Sequence, residues 1–565
     1  MKKILLFSLV ALTVFMLSCK DEWLDLKPKA SGSVNVFYSE NGVNGLLTGA
    51  YSMLDGHYWN DWGYNMWGGS ITNWVWGSLA SDDAYKGSTS SDQQTLNDIE
   101  QFTVTSTNEF LDSKWRFMYE GVTRCNEVLK VTRDATAEQV STEKKAWFEA
   151  QAKVLRAHFY FELTRVFGKV PYIDENTEAP EKVKNDKLLY AEIEADLKAA
   201  IPGLKSREPE IGRITAGAAK AYLAKVYLAQ KKYAEAKTLL DDVINTGGYT
   251  LMPNYQDNYM IASQNNSESI LEVQYAVNDG TDGSVNGGWG DALNFPSGGP
   301  STCCGFFQAT RNFANAFKVV AATGLPDFVN WNTTGQEVGG SEYTGTVDPR
   351  LDHSIGRPGI PFLDWGIQPK DNSWIRDPGN GGPFLFKKSL YKAAEKASKA
   401  TQTGWATGVN ANNFRFIRLA HVYLWRAECA AEENDLTNAL KYVNMIRNRA
   451  KTSKVVTLAD GTPAANYKVE PYGSFASSDE AKKAIRLEER LEFGMEGSRF
   501  FDLVRWGIVA QTMNDYLTTE APRQTYLGGK SFKAGTNEIW PIPQNQIDLS
   551  KVNGVSSLTQ NAGYN

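Results

Sequence analysis

Residues 484–507 read AIRLEERLEFGMEGSRFFDLVRWG. Leu487, Leu491 and Met495 recur at four-residue steps, and Leu503 and Val504 lie three and four residues after Phe500, the repeat of a helix face. Beside them Glu488, Glu492, Glu496, Arg499, Asp502 and Arg505 form a second ladder with the same spacing. Charge pattern alone would make these exposed ion pairs, worth about 0.3–0.5 kcal/mol each. The rings argue otherwise. Arg499 and Arg505 are flanked by Phe500, Phe501 and Trp506, which predicts guanidinium groups held against rings and carboxylates inside a helical body, where planar Arg is the favoured cation.

Outward from this stretch the helical signal continues. Val43–Leu54, Asn108–Thr132, Glu143–Phe167, Leu188–Ile201 and Thr215–Gln230 carry apolar residues at helical spacing, and Gly168 and Pro171 close the third of them. Ala224 and Ala236 lie twelve residues apart around Tyr227 and Tyr233, and the same spacing returns at Ala427 and Ala439. Small residues so placed let the two helices of a tetratricopeptide-like pair approach closely, and their recurrence supports a repeat array. Between Gly247 and about Gly408 the periodicity disappears. Gly, Asn, Pro, Asp and Ser dominate there, with Trp289, Trp331, Trp365 and Trp374 spread through turn-rich sequence. A loop region this long is functional or disordered, and its ring content argues against disorder. An earlier cluster, Trp59, Trp62, Trp67, Trp74 and Trp76, is interleaved with Asn, Asp and Gly and followed by Ser81-Asp82-Asp83-Ala84-Tyr85. The acidic pair has three readings: helix cap, acceptor of sugar hydroxyls, or calcium ligand.

Composition excludes several classes. Lys plus Arg total 59 against 65 Asp plus Glu, a formal charge of −6 with no long basic run, so the electrostatic footprint of a nucleic-acid binder is missing. Aromatic residues make up 12% of the chain, including 16 Trp, alongside 48 Gly. That combination suits rings displayed on irregular loops, against flat apolar ligands such as sugars. Of four histidines, His158 and His421 lie in helical sequence as packing residues, and none has metal-ligand spacing. No nucleophile elbow or phosphate loop with Lys occurs. A glycosidase needs two carboxylates about 5–10 Å apart, for which Asp61, Asp83 and Asp364 are candidates only if the fold brings them together. Cys125 and Cys429 read as small buried hydrophobes, while adjacent Cys303 and Cys304 amid glycines could form a disulfide, line a pocket or fill space.

The N-terminus has Lys2 and Lys3, an apolar run from Ile4 to Leu17, then Ser18 and Cys19. The run is shorter than the roughly 20 residues of a spanning helix and has the layout of a secretion signal over residues 1–18, ending at a lipidated Cys19. The acylated protein would then be anchored to a membrane leaflet.

Arg490, Glu496-Gly497-Ser498-Arg499 and Asp502 to Gly507 resemble the C-terminal signature of the SusD/RagB family, nutrient-binding surface lipoproteins of Bacteroidota-type bacteria. Phe414 to Ala420 running into Tyr423 to Glu428 resembles that family's central helix, and Asn537 to Pro543 its closing segment. The lipoprotein start, followed by Lys20-Asp21-Glu22, resembles its surface-export signal. The resemblance spans the whole chain and implies a mainly α protein: a helical framework at about 108–246 and 413–510 within a body of residues 19–565, carrying a loop-rich insert at about 247–412. It implies a lipid-anchored, outward-facing outer-membrane protein that binds a glycan and delivers it to a TonB-dependent outer-membrane transporter, with no catalytic role. No cofactor is implied beyond the calcium left open at the acidic pair. In that family the pocket forms from an early loop and the inserted lobe. Here those regions offer Trp62, Tyr85, Trp289, Trp331 and Trp365 as candidate stacking rings and Asp83 as a candidate hydroxyl acceptor. A helical-repeat scaffold for peptides is the second reading and a glycoside hydrolase the third.

Overall fold

The computed structural model describes residues 34–56, 66–281, 285–301, 303–333, 338, 343–401 and 404–564. Cys19 and the signal segment, Trp59, Asp61 and Trp62 lie outside the described residues.

The helical framework forms where the periodicity predicts. Helices α1 (Glu40–Tyr51), α2 (Glu109–Asp134), α3 (Thr142–Phe167), α4 (Tyr190–Ala200), α5 (Ala216–Ala229) and α6 (Tyr233–Thr246) occupy the first half. Their starts follow capping chemistry: Asn108 accepts from the Phe110 N–H at 3.0 Å and Thr215 from the Ala218 N–H at 3.1 Å, each satisfying a donor that the first turn leaves orphaned. Gly168, at φ 72°, ends α3. Helix α2 packs on α3, α3 on α4 and α5 on α6. Ala224 and Ala236 are fully buried, as are Ala427 and Ala439 in α7 (Leu419–Glu432) and α8 (Leu436–Thr452), which also pack together. The chain is thus mainly α, built on helix pairs. Among the described residues no helix is long and apolar enough to cross a membrane.

Two expectations are corrected. Residues Phe414–Arg418, read as the start of a central helix, form strand β4, which pairs antiparallel with β2 (Ser269–Val273), Val273 opposite Phe414 and Ser269 opposite Arg418. All five strand residues are buried, the pairing with Ser269–Val273 holds them extended, and the helix starts only at Leu419. The opening stretch is likewise two helices, α9 (Ser478–Phe493) and α10 (Arg499–Trp506), followed by α11 (Val509–Glu520). The break has a steric cause. Met495 and Gly497 take φ of 66° and 75°, and a Cβ on Gly497 would sit 1.7 Å from the Thr72 carbonyl oxygen. Facing it, a Cβ on Gly77 would sit 1.8 Å from the Gly497 oxygen. Two backbones therefore touch where only glycine fits.

The acidic ladder of α9 is buried. Glu492 meets Arg350 at 3.1 Å and also Arg418 and Arg449; Glu488 meets Arg350 at 2.7 Å and Arg447 at 2.9 Å. Glu268 joins through Arg418 at 3.0 Å, Asp348 through Arg350 at 2.7 Å, and Glu496 through Lys388 at 2.7 Å. Charges of both signs are interleaved, as buried ions require. Burial pushes the Glu492 carboxyl up, but the three arginines outweigh it and hold it well below the usual carboxylate range. Arg505 pairs with Glu428 at 2.6 Å, Asp502 at 2.8 Å and Glu489 at 3.2 Å, with its guanidinium 4.9 Å from the Trp506 ring centroid. Arg505 is thus held against a ring and carboxylates, as the sequence predicts; the network of Arg350, Arg418, Arg447 and Arg449 was not foreseen.

Candidate functional site

The early segment and the loop-rich lobe meet. Strand β1 (Ala84–Gly87) pairs antiparallel with β3 (Phe306–Ala309), Tyr85 opposite Gln308. This pairing fixes residues 82–92 against the lobe: Ser88 N–H donates to the Gly305 carbonyl at 2.5 Å, and Arg376 reaches Ser88 at 3.0 Å and Asp92 at 2.6 Å.

Three of the candidate residues are buried. Asp83 is fully buried and accepts from Arg490 Nε at 2.8 Å; burial pushes its carboxyl up against the pull of Arg490, with the charge of Asp82 adding. Its neighbour Asp82 binds Arg499 at 2.9 and 3.1 Å and Arg490 at 3.0 Å. The two arginines overcome the penalty of burial and hold Asp82 at about 2. The acidic pair therefore binds guanidinium groups, and Asp83, fully buried, is not placed to take a sugar hydroxyl. Tyr85 is fully buried with its hydroxyl donating to Glu520. Trp289 is 4% exposed, in a short turn of 3-10 helix, and the next residue's carbonyl accepts from Trp74 Nε1 at 2.9 Å. These three residues are core, and a ring with no free face cannot stack on a ligand. Turn-like flanking sequence gave no sign of their depth.

Trp365 and Trp331 remain, both half-buried. Trp365 is held at its edge: Nε1 donates to the Tyr391 carbonyl at 3.1 Å, the Tyr391 ring lies edge-on at 6.0 Å, and Lys396 Nζ lies 5.6 Å from the indole centroid. Asp364 beside it accepts from Ala393 N–H at 2.6 Å and Ala394 N–H at 3.1 Å. It caps a short helix. Lys396 also reaches the Pro300 carbonyl at 3.5 Å, which places Trp365 next to the 297–305 loop. On the other flank of that loop stands Trp374, also half-buried, edge-on to Phe362 at 5.8 Å. A Cβ on Gly299, which takes φ 68°, would lie 2.2 Å from the Trp374 indole. Gly298 and Gly299 thus let the ring lie flat on the loop. Cys303 and Cys304, in the same loop, are joined by a disulfide, and Ser301 Oγ lies 2.8 Å from Thr407 Oγ1.

The structure so assembles a face from Trp365, Trp374 and the loop between them, edged by exposed Asp371, Ser373 and Arg376. Two partly exposed rings with polar side chains around them offer what a sugar needs: apolar surface for its ring faces and a few directional partners for its hydroxyls. Trp374 was not singled out from the sequence, although Asp371-Asn372-Ser373 before it is the same signal that marked Trp365. Trp331 stands on a different loop, 326–333, anchored through the Asn315 to Asn332 hydrogen bond of 2.9 Å. His158 and His421 pack as foreseen: His158 lies 2.9 Å from the Tyr222 hydroxyl and burial lowers it to about 3, while His421 stacks 3.8 Å from Phe493.

Two family models match the chain. One, described as the SusD family, covers residues 267–564, and one described as starch-binding associating with outer membrane covers residues 22–228. A SusD-like protein of Bacteroides ovatus is 26% identical over 517 residues, 86% of this chain and 80% of that protein. The starch-binding protein SusD of Bacteroides thetaiotaomicron is 25% identical over 487 residues, 80% of this chain and 78% of that protein. Among solved structures, a laminarin-binding SusD-like protein matches with a TM-score of 0.68 at 24% identity over 93% of this chain and 100% of its own. That likeness bears out the fold.

Proposed function

This chain belongs to the SusD family, and from that premise we propose that it binds a glycan at the outer-membrane surface, anchored through Cys19, and passes it to a TonB-dependent transporter without cleaving it. The observation that carries this reading is the pair of half-buried tryptophans, Trp365 and Trp374, flanking one loop. Relatives that bind starch and laminarin support the ligand class. The capping role of Asp364 and the arginine pairing of Asp83 support binding without hydrolysis.

Trp365 and Trp374 take the ring faces of successive sugars, and Asp371, Ser373 and Arg376 take hydroxyls at the edge. Trp331 is a further ring at a separate point of a long chain. The test is calorimetric titration with starch and laminarin oligosaccharides, run beside an assay for new reducing ends. Saturable binding with no new reducing ends is expected. Turnover, or no binding to any glycan of a broad array, would reject the reading.

A further inference from the structure

Away from the loop face, the helical body holds a cavity of about 260 Å³ between α3, α5, α7, α9 and α10. Its walls are aromatic, with Phe416, Phe493 and Phe501 among them, and half-exposed Leu188 stands at its rim. Lys225 of α5 places its ammonium 4.5 Å from the Phe416 ring centroid, and among the described residues no carboxylate or carbonyl pairs with it. The charged groups facing it are already engaged. Arg165 pairs with Glu162, and Arg505 is taken by Glu428, Asp502 and Glu489. Burial, with Arg165 adding and Glu162 and Asp502 opposing, lowers Lys225 to about 7. His158 and His421, also nearby, are held neutral by burial.

The lining has one more donor without a partner. Among the described residues Arg165 Nε has no hydrogen-bond acceptor, while Arg415 Nε faces Glu272 at 3.8 Å, outside the lining. Glu489, 3% exposed, binds Arg505 through Oε2 at 3.2 Å and leaves Oε1 without a partner. Glu538 Oε2 at the other side is a free acceptor. Unmet buried polar groups are costly, and a Lys225 ammonium facing an aromatic cavity with no carboxylate paired to it calls for an anionic oxygen ligand. Its size bounds the rest of that ligand: an apolar cavity of about 150 Å³ holds benzene, so this one has room for a ring and an acid group.

We propose that this cavity is a second ligand site, independent of the glycan face, for a small carboxylate with a compact apolar body such as a single ring. The carboxylate pairs with Lys225 and the ring lies among Phe416, Phe493 and Phe501.

The test uses phenylacetate as probe and phenylacetamide, its neutral isostere, as control, titrated calorimetrically into the lipid-free full chain at pH 6.5. Phenylacetate should bind saturably and raise the melting temperature, and the amide should not. Lys225→Met keeps the packing stem and should weaken phenylacetate about tenfold or more, the loss of one charge-assisted hydrogen bond, with glycan affinity unchanged. Leu188→Trp, at the rim and outside the core, should also weaken the acid. Should Lys225→Met not fold, the pH profile of the natural protein decides. Binding to a protonated amine must take up a proton and fall as pH rises above about 7. No binding at millimolar phenylacetate, equal binding of acid and amide, or unchanged affinity in folded Lys225→Met each overturns the proposal.

Discussion

Arg499→Ala tests whether the C-terminal signature is architecture or binding surface. Arg499 makes two charge-assisted bonds to Asp82, at 2.9 and 3.1 Å, with its side chain only 12% exposed. Orphaning one partner of a buried ion pair costs about 3–5 kcal/mol. Asp82 keeps Arg490 at 3.0 Å after the change, so the lower end applies, about 3 kcal/mol. An unfolding entropy near 2.1 cal/mol/K per residue gives roughly 1.1 kcal/mol/K for a body of this size. The melting temperature should therefore fall by only about 3 °C, and denaturant midpoints are the better assay. A cycle with Asp82→Asn should show strong non-additivity, because both changes remove the same pair. A variant with wild-type stability and lost glycan affinity would refute the structural role.

Three further outcomes follow. Asp82 sits at about 2 in the folded protein against about 3.9 unfolded; its contribution, on the order of 2 kcal/mol, is present above pH 4 and lost as pH falls toward 2, so Asp82→Asn should flatten acid unfolding curves over that window. Gly497→Ala would place a Cβ 1.7 Å from the Thr72 oxygen at φ 75° and should cost about 4 kcal/mol or more, seen as loss of soluble protein or a collapsed denaturant midpoint. Cys19→Ala should move the protein from the membrane fraction to the soluble fraction and abolish fatty-acid labelling; a variant that stays membrane-bound would contradict the anchor.

Much of the framework was legible because helical periodicity and small-residue contacts are local signals: Ala224 against Ala236 and the caps at Asn108 and Thr215 follow from a few residues each. The strand at Phe414–Arg418 was missed because its partner, Ser269–Val273, lies about 140 residues away and only that pairing decides between strand and helix. The break at Gly494–Ser498 depends on contact with Thr72 and Gly77, which are still more remote in sequence. The site was the least legible part. Trp289 and Trp365 have similar Gly- and Asp-rich neighbours in sequence, yet one is core and the other half-exposed, and burial is set by tertiary contacts that flanking residues do not report. Asp83 looked free because its partner, Arg490, lies in the opposite half of the chain.

The central claim is that Trp365 and Trp374 form the glycan face, and paired calorimetry and denaturation of Trp365→Ala and Trp374→Ala test it most directly. With the oligosaccharide that binds the natural protein best, each substitution should cost about 2 kcal/mol of affinity, as for an interface hot spot, roughly a thirtyfold rise in Kd, while the denaturant midpoint moves little. Wild-type affinity in both folded variants would contradict the account.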